Sequence, residues 1–180
     1  MLYIPENYLN TYTTDNQAKQ INNIILKYSN SNSIITDATA GIGGNSIYFC
    51  KTFKFVNCIE NDYEAFNILK SNLSKCKNNI FYVCSFICII NLLKQDIIFI
   101  DPPWGGNDYK LKKKMNLFID NIDIIDIINK LYHNTRIICM KVPNNFNITD
   151  DMNLFWDYKI HNIYKSKKSI YKLIIFYKPV

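Results

Sequence analysis

Arginine occurs once in this chain, at Arg136, although lysine and arginine together number 21 and the net charge is +6. Lysine supplies the rest, and Asn, Ile and Tyr are heavily used, as in proteins written by AT-rich genomes. The number of lysines is therefore weak evidence for a polyanionic partner, and only their placement is informative. No apolar run approaches the roughly 20 residues a membrane span needs, and "MLYIPENYLN" lacks the basic-then-apolar order of a signal peptide. The expectation is a soluble, intracellular chain with no membrane partner. Six cysteines contain no CxxC pair, and only His133 and His161 could join them, so zinc-site spacing is missing and no metal is expected. Buried, reduced thiols are the expectation for all six. No internal repeat and no Pro-, Gly- or Ser-rich linker interrupts the 180 residues, which read as one domain, 1–180, with a short N-terminal segment, 1–14.

What is present alternates. Thr14 and Gln17 form a capping-box pattern, and Ala18, Ile21, Ile24, Ile25 and Tyr28 follow at helical spacing, which predicts a helix from about Asp15 to Ser29. "SIITD" is a short apolar strand that ends in the glycine-rich turn "ATAGIGGN", and "SIYFCKTF" opens a helix directly after it. A second strand ends at Glu60, followed by the helix "YEAFNILKSNLSKC"; "NIFYVCS" and "QDIIFIDPPW" supply the third and fourth strands. "IDNIDIIDIINKLYH" reads as a helix and "TRIICMKVP" as a fifth strand. The tail from Leu154, "LFWDYKIHNIYKSKKSIYKLIIFYKP", reads as two strands around a Lys/Ser turn. Strands apolar on both faces that alternate with helices predict an α/β fold: a mostly parallel seven-stranded sheet, helices on both faces, and a C-terminal antiparallel hairpin at one edge.

Asp37, Gly41, Gly43 and Gly44 sit where the first strand hands over to a helix, the place where backbone approaches a ligand in such folds. The spacing D-x-x-x-G-x-G-G matches neither the dinucleotide fingerprint nor a phosphate-gripping loop. A carboxylate at the strand end suits a cationic, amino-acid-like ligand, a requirement that S-adenosylmethionine meets. Glu60, 23 residues after Asp37, can accept hydrogen bonds from both hydroxyls of a ribose.

The fourth strand ends in "DPPWGGNDY", and ligands of open α/β sheets bind beyond such strand ends. Two prolines in succession predict a stiff extended turn in which the Asp101 carboxylate and the Pro102 carbonyl face one point. Two converging acceptors match an exocyclic NH2 of a nucleobase and would hold its nitrogen lone pair toward a methyl-sulfonium. Trp104 is placed to stack on the base, with Gly105 and Gly106 leaving room beneath.

"DATAGIGGN" and "DPPWGGNDY" together resemble the trimethylguanosine synthases, S-adenosylmethionine-dependent enzymes that methylate guanine N2 of the 7-methylguanosine cap of RNA. The resemblance runs from about Thr11 to Asn145, and the second motif is the specific one. It implies a Rossmann-like class I methyltransferase acting on capped RNA or a cap analogue, as a monomer. Asp37, Ala38, Gly41, Gly43, Asn45, Glu60, Asn61, Ser85, Phe86 and Asp101 are implied to hold the cofactor. Asp101 and Pro102 are implied to orient the amine, and Trp104 to stack on 7-methylguanine. Asn72 and Tyr109 match positions near the cap and Thr13 one that borders the active site; Asn144 stands at the position beside the cap phosphates, and Lys110 opens a lysine run that could meet them. Departures are Asn107 in place of a usual Pro, Asn144 in place of a typical Arg, and Ser85 where an acid often stands. Only about a dozen residues precede Thr13. "KLKKK" after the catalytic turn and "KSKK" in the hairpin turn are candidates to meet the triphosphate and the RNA backbone. Two other readings stay open. One is an adenine-N6 methyltransferase, although RNA enzymes of that kind place the cofactor motif after DPPW rather than 64 residues before it. The other is a methyltransferase-like RNA-binding subunit that does not react.

Overall fold

The computed structural model of the chain describes residues 2–9, 11–146, 148 and 155–178. Its strands are β1 (Ile34–Asp37), β2 (Phe55–Glu60), β3 (Asn79–Val83), β4 (Ile97–Ile100), β5 (Phe118–Ile119), β6 (Ile122–Asp123), β7 (Ile137–Val142), β8 (Asp157–Lys165) and β9 (Lys168–Tyr177). The helices are α1 (Asp15–Ile25), α2 (Ser46–Thr52), α3 (Tyr63–Asn72), α4 (Phe86–Ile89) and α5 (Ile124–Lys130). Seven strands form one sheet in the order β3-β2-β1-β4-β7-β9-β8. The first five are parallel; β9 runs antiparallel to both β7 and β8, so the closing hairpin occupies one edge as expected. The start of the tail reading at Leu154 and its end at Pro179 lie outside the described residues.

The alternation of side chains along each strand splits the core in two. Ile98, Ile100, Ile138, Met140, Ile174 and Phe176 face α4 and α5, while Ile35, Phe99, Ile137, Cys139, Leu173 and Ile175 face α1, α2 and α3. β4 and β7 are buried at every position, which is why β4 is a continuous apolar run and β7 is apolar except at Lys141. Chain order reverses between β1 and β4, so the carboxyl ends of these two strands flank the crevice where open α/β sheets take their ligands.

Three local expectations are corrected. The first helix ends at Ile25 rather than Ser29, because Lys27 and Tyr28 donate to Ile24 and Ile25 in three-residue turns that tighten and end it. The helix expected from Ile119 begins only at Ile124, capped by the Asp123 side chain, which accepts from the Ile125 N–H at 2.8 Å. Ahead of it β5 and β6 form a short antiparallel ladder, turned by Asp120 and Asn121 at φ 50° and 62°, a region that Asp and Asn tolerate better than most residues. Of the six cysteines, only Cys58 and Cys139 are fully buried; Cys88 is exposed, and all six are free.

Candidate active site

The turn after β1 is built against the N-terminal segment. A Cβ on Gly44 would lie 2.8 Å from the Thr13 carbonyl oxygen, so only glycine lets the two backbones meet here. That contact brings Thr13 to the carboxyl edge of the sheet, where its Oγ1 accepts from Asn45 Nδ2 at 3.1 Å and from Lys141 Nζ at 3.2 Å. Glu60 closes the other side: Oε2 accepts from the Gly41 N–H at 2.6 Å and Oε1 from the Asp62 N–H at 2.8 Å. Each oxygen keeps a lone pair for a further donor. Asp37 is 1% exposed; its Oδ2 accepts from Ser46 Oγ at 2.5 Å, and Oδ1 has no hydrogen-bond partner. Burial, with Asp101 and Glu60 nearby, pushes its carboxyl up to about 7 against the pull of the Ser46 bond.

One register beyond the pair Ile100↔Met140 stand Asp101 and Lys141, on the sheet face shared with Asp37. The Asp101 N–H donates to Thr39 Oγ1 at 2.7 Å, tying the corner to the β1 turn. Its Oδ2 forms an ion pair with Lys141 Nζ at 2.6 Å, and burial raises its carboxyl against the lowering effect of that ammonium. Gly105 and Gly106 hold φ of 79° and 72° with nothing within 4 Å of an added Cβ, so backbone conformation rather than space demands glycine there. Trp104 is half-buried, edge-to-face with Tyr109 at 5.2 Å and with Tyr171 at 5.9 Å. The loop after it is pinned by Asn145, whose Nδ2 donates to the Tyr109 and Lys112 carbonyls, both at 2.7 Å.

These elements enclose a cavity of about 1150 Å³. Of the expected site residues, Thr13, Ala38, Gly41, Asn45, Glu60, Asn61, Ser85, Phe86, Asp101, Pro102, Trp104, Tyr109 and Lys110 line it. Four others lie off its wall. Asp37 is buried, and Gly43 turns its face to Leu69 of α3 and Leu73 just after it. Asn72 spends its amide on the chain itself, donating to the Ile42 and Tyr3 carbonyls and accepting from the Tyr3 N–H. Asn144 is exposed and turned toward the hairpin, where its Nδ2 donates to the Ser169 carbonyl at 3.3 Å.

Other residues complete the wall that sequence reasoning did not single out. Lys141 is one, with Tyr171 beside it, a buried hydroxyl without a partner. Lys165, the first residue of the expected "KSKK" run, also lines the cavity. At the rim by Ser85, Asp120 places its carboxylate so that Ser85 Oγ donates to it. An Asp-Asn dipeptide between two short apolar stretches was the available signal for that turn. Among the described residues no helix is long and apolar enough to cross a membrane, and no group of three His, Cys, Asp or Glu side chains could hold a metal.

A doubly wound sheet with a glycine turn after β1, a carboxylate ending β2 and an acid-proline-proline corner ending β4 defines a Rossmann-like methyltransferase. Solved structures share the fold: the Escherichia coli protein yhhF, described as a methyltransferase (TM-score 0.67, 17% identity, 98% of this chain and 91% of that one), and an rRNA methylase from Streptococcus thermophilus (TM-score 0.60, 11% identity, 88% and 94%). So does TYW2 of M. jannaschii, solved in complex with AdoMet (TM-score 0.56, 16% identity, 95% and 80%). The profile of the family described as RNA cap guanine-N2 methyltransferase matches residues 32–178, and the chain belongs to that family. Protein L320 of Acanthamoeba polyphaga mimivirus is 33% identical over 133 residues, which are 69% of this chain and 50% of that one; the chain thus spans about half the length of this relative. S-adenosylmethionine is the methyl donor that goes with membership.

Proposed function

We propose that this protein transfers the methyl group of S-adenosylmethionine to the exocyclic N2 amine of a 7-methylguanosine cap on RNA. The observation that carries the reading is the Asp101–Pro102 corner opening, with Trp104, onto the same cavity as Glu60 and the β1 turn.

The residues present fit the cofactor. Asn45 Oδ1, on the cavity wall, is a buried acceptor without a partner that suits an α-ammonium, with the buried Asp37 carboxyl adding negative charge off the wall, and the spare lone pairs of Glu60 suit ribose hydroxyls. Gly41, Ala38, Asn61 and Phe86 complete that half. Asp120, beside Ser85, supplies the carboxylate for an adenine amine that position 85 itself lacks. Bound there, the cofactor supplies an electrophilic methyl on a sulfonium.

In the other half, Asp101 and the Pro102 carbonyl accept the two N–H groups of the amine, which turns the nitrogen lone pair toward the methyl. As the N–C bond forms, the electrons of the broken C–S bond stay on sulfur, and the nitrogen sheds one proton to water. Trp104 stacks on the base, supported edge-on by Tyr109 and Tyr171. Lys110 and Lys165, on the cavity wall, meet the triphosphate that Asn144 does not reach.

Base stacking is worth about 1–3 kcal/mol, so Trp104→Ala is expected to raise the KM for 7-methyl-GTP by roughly 5- to 150-fold, as steady-state kinetics would register. The test of the reading itself is label transfer from S-adenosylmethionine to 7-methyl-GTP, to GTP and to adenine-containing oligonucleotides. Transfer to 7-methyl-GTP is expected; transfer to adenine instead favours the N6 reaction, and no transfer to any acceptor favours a silent binding subunit.

A further inference from the structure

Lys141 is the one charged side chain of β7, whose other residues, Ile137, Ile138, Cys139, Met140 and Val142, are all buried and apolar. It is itself 5% exposed. An ammonium taken out of water is costly unless paired and hydrogen-bonded, and replacement of such a pair by apolar residues is often neutral or stabilising. Packing alone therefore gives no reason for a lysine at this place. Its partners are specific: Asp101 Oδ2 at 2.6 Å, Thr13 Oγ1 at 3.2 Å, and the rings of Tyr171 and Trp104 at 4.7 and 5.5 Å. Each element bounding the amine end of the cavity, namely the N-terminal segment, β4, β7 and β9, thus touches one ammonium.

We propose that Lys141 is a positioning residue for methyl transfer, a clamp that takes one oxygen of Asp101 and so fixes the carboxylate in the orientation that presents its other oxygen to the substrate amine. The proposal rests on reading this site as an amine methyltransferase. With Oδ2 held by Lys141 and the Asp101 N–H held by Thr39, neither the carboxylate nor its backbone can turn without breaking a hydrogen bond. The same contact joins the cap half to the cofactor half, because Thr13 also accepts from Asn45. Loss of the clamp would then lower turnover more than cofactor binding.

Charge gives a readout that a merely structural lysine would not move. The titratable groups facing Asp101 are Lys141 from β7, Asp37 from β1 and Tyr171 from β9, with Glu60 beyond Asp37. Lys141 is the cation among them. The Lys141 ammonium lowers the Asp101 carboxyl against burial, so removing it should move the acid limb of kcat to higher pH.

The experiment compares wild type, Lys141→Met and Lys141→Arg in kcat and KM against pH with 7-methyl-GTP, and follows the side-chain carbon of Asp101 by carbon-13 NMR through the same pH range. Lys141→Met is expected to lose about 100-fold in kcat while the KM for S-adenosylmethionine changes little, with both the acid limb and the Asp101 midpoint shifted upward. Lys141→Arg is expected to keep the limb near its wild-type place and recover part of the rate. An unshifted Asp101 midpoint in folded Lys141→Met overturns the clamp, as does an unchanged kcat. If wild type methylates no cap analogue, the functional reading fails instead, and the carbon-13 midpoint still decides whether Lys141 controls Asp101.

Discussion

Asp101→Asn is expected to lower kcat on 7-methyl-GTP by about 10²–10³-fold, the scale at which one well-aimed hydrogen-bonding group is lost from a transition state. The reason is the number of acceptors. Asp101 must accept from Lys141 on one oxygen and from the substrate amine on the other. An amide has one oxygen and one NH2, so whichever way it turns, a donor meets a donor. Asp101→Ala is a poorer probe, because it leaves the Lys141 ammonium buried without its partner, a loss of about 3–5 kcal/mol in comparable pairs. The single alanine variant is therefore expected to unfold at markedly lower temperature. The double variant Asp101→Ala/Lys141→Met should regain most of that stability and none of the activity, as thermal denaturation and label transfer on the same samples would register.

Asp37→Asn is expected to separate stability from function in the opposite direction. An aspartate ionises near pH 4 in the unfolded chain, whereas burial holds Asp37 protonated up to about 7 in the folded one. Between those values the folded state carries the extra proton, so stability falls as pH rises from about 4 to about 7 and stays at the lower level above. Three units correspond to about 4 kcal/mol. A neutral amide that still accepts from Ser46 escapes this loss. The free Asp37→Asn protein should therefore unfold at a higher temperature than wild type at pH 8, and its melting temperature should vary less between pH 5 and 8. S-adenosylhomocysteine should bind it far more weakly. In wild type an incoming ammonium favours the ionised carboxylate, so affinity should rise as pH passes through about 7, with proton release visible by calorimetry in buffers of different ionisation enthalpy.

The sequence spelled out what is local. Apolar runs punctuated by glycine or proline marked the strands and their ends, and the capping box at Thr14 is present, with the Thr14 N–H on Gln17 Oε1 at 3.0 Å. Both motifs sit at neighbouring strand ends because they close β1 and β4, which pair in the sheet. What escaped notice depends on pairing across distance. Lys141 is one lysine among many until the β4–β7 register sets it beside Asp101. Asp120 was hidden by the helical spacing of the isoleucines after it, although positive φ at Asp120 and Asn121 breaks any helix there. The resemblance implies cap-side positions for Asn72 and Asn144, yet nearby carbonyls satisfy their amides and hold them off the cavity wall. Such local competition between hydrogen-bond partners has no signature in the one-dimensional pattern.

The most direct test of the central claim is a crystal structure of the protein with S-adenosylhomocysteine and 7-methyl-GTP. The account predicts guanine N2 within about 3 Å of both the Asp101 carboxylate and the Pro102 carbonyl, with the base stacked on Trp104 and the cofactor sulfur in line beyond the nitrogen. A base bound with N2 turned to solvent, or an indole left without a stacked partner, would contradict it.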